Sequence, residues 1–123
     1  MKMKKILVVD DEPGFTHLLK LSLPDYEIME ENDSRRAIST ARKFRPDLIL
    51  LDVIMPGLDG GDLASQMRSD AVLAGTPIVF LTAVVSAEEA EGGAREIGGF
   101  PFLAKPVSPE TLKACIEEHL LVY

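Results

Sequence analysis

The chain carries a single cysteine, Cys115, so no internal disulfide can staple it. Its place in a helical pattern makes it a small packing residue rather than a reactive thiol. No apolar run approaches the roughly 18 residues of a transmembrane helix, and no membrane partner is expected. The basic start, MKMKK, is followed only by ILVV, too short for the core of a signal peptide. Positive charge is in deficit: 13 Lys and Arg face 20 Asp and Glu, a net charge of −7. That balance argues against non-specific binding to nucleic acid or to an anionic membrane. Repeats, linkers and low-complexity segments are missing as well. What is left is an acidic chain of 123 residues, 46% hydrophobic and 27% charged, expected to be one soluble cytoplasmic domain.

Three short apolar runs are present: ILVV (6–9), LILL (48–51) and IVFL (78–81). None alternates with polar residues, which is how strands covered on both faces of a parallel sheet read. Two weaker candidates, YEIMEE (26–31) and FPFL (100–103), suit edge strands, one by its alternation and the other by Pro101. Helical patterns lie between them. Pro13 opens a helix in which Phe15, Leu18 and Leu19 share a face. Asp33 or Ser34 caps a second, with Ala37, Ile38, Ala41 and Phe44 on one side. A third runs from about Gly60 to Ser69 on Leu63 and Met67, and Ser86 with Glu89 makes a capping box for a fourth. The last starts near Ser108 and Pro109, with Leu112, Ile116 and Leu120 in one stripe.

Five alternations of strand and helix predict an α/β fold, a (βα)5 doubly wound sheet of five parallel strands in the order 2-1-3-4-5. Ligands in such sheets bind at the carboxyl ends of strands beside the point where the winding reverses, between the first and third strands. Asp10 and Asp11 end the first strand, Asp52 the third, Thr82 the fourth, and Lys105 follows the fifth. Three converging carboxylates raise one another's pKa unless positive charge offsets them. An oxygen-rich site suits Mg²⁺, and Lys105 supplies a second cation.

ILVVDDE, PDLILLDVIMPGLDG, TPIVFLTA and FLAKP, in order and at normal spacing, resemble the receiver domain of two-component response regulators over essentially the whole chain. The resemblance implies a flavodoxin-like fold that accepts a phosphoryl group from a histidine kinase or phosphotransfer protein. It implies Asp52 as phosphoacceptor, with Mg²⁺ (or Mn²⁺) held by Asp11 directly, Asp10 mainly through a water, Asp52, and the Ile54 backbone carbonyl. Thr82 and Lys105 would contact the phosphoryl oxygens, and Lys105–Pro106 is cis in the family. In the phosphorylated state Thr82 moves toward the phosphoryl group and Phe102 turns into the vacated space. That switch alters a face made by the fourth helix, fifth strand and fifth helix, which meets a downstream protein target. A phosphorylation-linked homodimer is left open. The expected whole is one receiver domain over residues 1–123 with no output domain, catalysing only its own phosphorylation and dephosphorylation, and without direct contact to nucleic acid.

Several residues depart from the family pattern. Gly92–Gly93 falls inside the expected fourth helix and predicts a short, kinked or mobile segment. Gly98–Gly99 adds freedom before the fifth strand. Ile54 and Val84, two residues beyond Asp52 and Thr82, are apolar where water must reach the phosphoryl group, which predicts a long-lived acyl phosphate. His17 and His119 read as exposed helix residues. Two other classes compete: a haloacid dehalogenase-type phosphatase, which would want a second Asp where Ile54 stands, and a flavodoxin-like FMN binder, whose phosphate these acids would repel. A receiver excised from a longer regulator is a further variant.

Overall fold

A computed structural model of the chain describes residues 3–52, 60–82, 96–97, 100–105 and 107–120. The apolar runs become β1 (Lys5–Val9), β3 (Leu48–Leu51) and β4 (Ile78–Thr82), and the weaker candidates become β2 (Glu27–Glu31) and β6 (Phe100–Ala104). A two-residue strand, β5 (Glu96–Ile97), precedes β6. The helices are α1 (Pro13–Ser22), α2 (Ala37–Phe44), α3 (Gly60–Ser69) and a last helix, Pro109–Leu120. The expected fourth helix, with its capping box and Gly92–Gly93, lies outside the described residues, as do Gly98–Gly99 and Pro106.

The sheet order is β2-β1-β3-β4-β6-β5. Its first five members are all parallel and reproduce the expected 2-1-3-4-5 winding, with β6 as the fifth strand of the sequence reading. β5 adds an antiparallel rung outside β6, pairing Glu96 with Pro101 and Ile97 with Phe100. So β6 is not the outermost strand, as Pro101 had suggested. Two residues are too few to show a period, which is why the sequence conceals β5.

Alternate residues of the central strands feed two separate cores. Leu7, Val9, Ile49, Leu51, Ile78 and Phe80 meet α2 and α3 on one face. Ile6, Val8, Leu48, Leu50, Val79 and Leu81 meet α1 and the last helix on the other. Burial of the strands on both faces is the reason they are apolar without alternation.

α1 begins at Pro13, whose missing N–H costs nothing at a first helical position. Its inward stripe differs from the one read off the sequence. Leu19 is buried but Leu18 is 62% exposed, and the buried partner one turn back is Thr16, at 0%. Leu19, Thr16 and Leu23 fall on one side at three- and four-residue spacing, while Leu18 sits about 100° round the helix. Phe15 is half-buried at the edge of that stripe. Asp33 caps the 3-10 turn Ser34–Arg36 by accepting from Arg35 N–H at 2.9 Å. Ser108 Oγ accepts from Thr111 N–H at 3.1 Å and so caps the last helix. On that helix Cys115 packs half-buried against the core, and burial pushes its thiol up to about 11. His17 is exposed, with Nδ1 3.6 Å from Glu30 Oε2. His119 is not: it is half-buried, its Nδ1 2.8 Å from the Cys115 carbonyl one turn back.

α2 and the end of α3 are joined by an ion pair. Arg42 Nε donates to Asp70 Oδ2 at 2.7 Å, and Asp70 Oδ1 accepts Val72 N–H at 2.9 Å. The Arg42 hydrogen bond is the main reason that the Asp70 carboxyl sits below its ordinary value of 3.8; burial opposes it. A depressed carboxyl stabilises the fold above its unfolded pKa and loses that contribution as pH falls through the folded value. Asp70→Asn is therefore expected to lower stability near neutral pH, with the gap from wild type narrowing as pH falls below the ordinary carboxyl value of 3.8 and through the lowered folded one. Urea melts at both ends of that range check this, and an equal gap at both would count against the pair.

Candidate functional site

The carboxyl ends of β1 and β3 stop side by side. Asp52 N–H donates to the Val9 carbonyl at 2.9 Å, and Asp10 N–H donates to the Glu31 carbonyl at 3.1 Å. The ladder thus carries both acids to the edge of the sheet, where the apolar runs give out. Asp10 is buried at 1% exposure and Asp52 at 7%, while Asp11 and Glu12 face solvent. The adjacent acids of the sequence therefore split, one inward and one outward.

Lys105 follows β6 and returns its side chain, 13% exposed, into this crevice. Its Nζ donates to Asp10 Oδ2 at 2.5 Å and lies 3.6 Å from Asp52 Oδ2 and 3.9 Å from Glu12 Oε1. The Phe15 ring sits beside the ammonium, 4.1 Å from Nζ to centroid, so an aromatic face adds to its neutralisation. Burial is the largest influence on Lys105 and pushes its pKa down. The Asp10 hydrogen bond and the charges of Asp10, Asp52 and Glu12 together outweigh it, and the pKa rises above 10.5. At neutral pH the group is an ammonium.

Asp10, Asp11 and Glu12 each offer a carboxylate oxygen, all within 4.8 Å of one another. This donor set is all oxygen and anionic, which fits a hard divalent cation such as Mg²⁺ better than a soft one. Glu12 opens α1 through its carbonyl, which accepts Phe15 and Thr16 N–H, and its carboxylate also joins the cluster. Of the residues expected here, Asp10, Asp52 and Lys105 come together, and Asp11 stands at the rim. Thr82 ends β4 opposite Ala104, its side chain outside the described set; Ile54 and Val84 also lie outside the described residues. Phe102 is half-buried, packs against the core on the α2–α3 side and lies in register with Phe80. Phe15 as a neighbour of Lys105, and the polar group Thr16, Glu30 and Asn32 behind Asp10, were not among the residues expected from the sequence. Thr16 carried a signal, one turn before Leu19 on the buried stripe.

A family model described as the response regulator receiver domain matches residues 6–117. The chain belongs to that family. The DNA-binding response regulator MtrA of Mycolicibacterium smegmatis is 34% identical over 119 residues, 95% of this chain and 50% of MtrA. The alkaline phosphatase synthesis transcriptional regulatory protein PhoP of Bacillus subtilis is 36% identical over 116 residues, 93% of this chain and 47% of PhoP. The chain spans about half the length of the curated relatives it matches. Among solved structures, the chemotaxis protein CheY4 of Vibrio cholerae superposes with a TM-score of 0.82 at 34% identity, covering 97% of this chain and 100% of that one. This receiver domain therefore has the flavodoxin-like fold of its relatives and is a signalling domain of two-component response regulators. The family match lends no support to the phosphatase and flavin-binding alternatives. The expectation that nucleic acid is no partner gains no support, since MtrA is a DNA-binding regulator by name and this chain matches half of it.

Proposed function

We propose that this receiver accepts a phosphoryl group on Asp52 from a phosphohistidine of a histidine kinase or phosphotransfer protein. The observation that carries the reading is the placement of one partly buried ammonium, Lys105, between Asp10 and Asp52 at the carboxyl ends of β1 and β3. An Asp52 carboxylate oxygen attacks phosphorus in line as the phosphorus–nitrogen bond to the donor imidazole breaks, and the imidazole leaves with the electron pair. Such a transfer needs mainly positioning and charge neutralisation. Lys105 is held by Asp10 close enough to Asp52 to shift onto the incoming phosphoryl oxygens. Asp10 and Asp11, with Glu12 beside them, would hold the divalent ion, joined by Asp52 and the Ile54 carbonyl. When bound, that ion supplies further positive charge to the transferring group.

In this reading residues 1–123 form one receiver unit that turns over no separate substrate. Its output is a population shift in which Thr82 and Phe102 rearrange and change a protein-binding face. Among the described residues no helix is long and apolar enough to cross a membrane, and the proposed site of action is the cytoplasm. Incubation with a small phosphodonor and Mg²⁺, followed by intact mass, tests the reading. One phosphoryl addition per chain is expected, and chelation with EDTA should suppress it by at least about 100-fold. An unmodified wild-type chain after prolonged incubation with Mg²⁺ overturns the proposal.

A further inference from the structure

Asp10 leaves β1 with a backbone carbonyl that the sheet does not pair in the regular way. The β1–β2 ladder runs from Glu27 N–H to the Lys4 carbonyl at 2.9 Å through to Asp10 N–H and the Glu31 carbonyl at 3.1 Å. In a parallel pair the next rung would take Asp33 N–H to the Asp10 carbonyl. β2 has ended at Glu31, however, and Asp33 N–H donates to the Glu31 side chain, Oε2, at 3.0 Å. The Asn32 side chain takes the rung instead. Its Nδ2 donates to the Asp10 carbonyl at 2.8 Å and to Thr16 Oγ1 at 3.0 Å.

Both partners fix the amide. A carbonyl can only accept, so nitrogen must face Asp10, and both amide protons are used. Thr16 is wholly buried and passes the chain on, its hydroxyl donating to Glu30 Oε1 at 2.7 Å, with the Pro13 carbonyl at 3.2 Å as the weaker alternative. An uncharged amide is thus anchored at its far side by a buried hydroxyl, and that hydroxyl is oriented by a carboxylate.

We infer that Asn32 is a positioning residue for the acidic pair, held in place by Thr16 and Glu30. The Asp10 carbonyl and the Asp11 N–H belong to one planar unit. Holding that carbonyl sets the plane from which the Asp11 side chain departs toward solvent. It also keeps Asp10 where its Oδ1 accepts Glu12 N–H at 3.0 Å and its Oδ2 meets Lys105. Outer groups that orient metal ligands in this way typically govern about 10- to 100-fold of metal affinity. The inference rests on the functional reading above.

Magnesium titrations of the full chain followed by amide NMR shifts, below the melting onset of every variant, provide the test. Asn32→Ala and Asn32→Asp are expected to weaken Mg²⁺ binding by about 10-fold or more. Thr16→Val should weaken it in the same direction, and Thr16→Ser, which keeps the hydroxyl, should restore wild-type affinity. In metal-free protein, Glu12 N–H should exchange faster in both Asn32 variants while Ile6 N–H does not change. If Asn32→Ala binds Mg²⁺ within twofold of wild type, or Glu12 exchange is unmoved, the inference fails and the functional reading stands. A wild-type chain that binds no Mg²⁺ removes both.

Discussion

Replacing Asp52 with asparagine is expected to reduce phosphoryl acceptance by at least about 10³-fold, since an amide offers no anionic oxygen to phosphorus. The substitution is nearly isosteric, so Asp52 N–H should keep its 2.9 Å bond to the Val9 carbonyl and β3 should keep its register. It also removes one negative charge lying 3.6 Å from Lys105 and close to the buried Asp10. Loss of activity should therefore come without loss of stability, a separation that a damaged fold cannot mimic. Intact mass after phosphodonor treatment, read beside a urea melt, checks both halves. Phosphoryl uptake by Asp52→Asn at the wild-type rate and stoichiometry would move the acceptor to another residue.

The second large effect concerns the opposite charge. Lys105→Met keeps a long apolar stem and deletes the ammonium, leaving Asp10 at 1% exposure without its 2.5 Å partner. Stripping one member from a buried ion pair costs about 3–5 kcal/mol. Here the lower end of that range is expected, because Asp11 and Glu12 leave one side of the crevice open to water. Metal-free Lys105→Met should thus unfold at distinctly lower urea. The double variant with Asp10→Asn should regain much of the loss, since the uncompensated charge is then gone as well. A divalent ion bound to the acids would also stabilise the single variant, by ordinary ligand linkage. A single variant as stable as wild type would show that the crevice leaves Asp10 well solvated.

The central fold could be read from the sequence because the physics there is local. ILVV, LILL and IVFL lie between two layers of helix, and nothing but continuous apolar residues suits that place. Once those three strands and the winding order are known, Asp10 and Asp52 must reach the same edge, and Lys105 follows from the end of the fifth strand. The misreadings have the opposite character. Leu18 looks like a core residue until the stripe through Thr16, Leu19 and Leu23 is drawn in three dimensions. His119 is half-buried because its ring turns back to the Cys115 carbonyl, a detail of packing with no sequence signature. β5 is formed by pairing with β6 and by no propensity of its own. Asn32 matters at a distance of 22 residues from Asp10, and only the register of β1 against β2 reveals that relation.

The division of β1, β3 and β4 between two cores has a genetic consequence. Because neighbouring residues in these strands serve opposite helical layers, adding or deleting a single codon within one of them would exchange the two sets beyond that point. The same edit in β1 or β3 would also move Asp10 or Asp52 out of step with the neighbouring strand end. Length variation in this lineage should accordingly be found in the connections between elements, while these strands diverge by substitution alone.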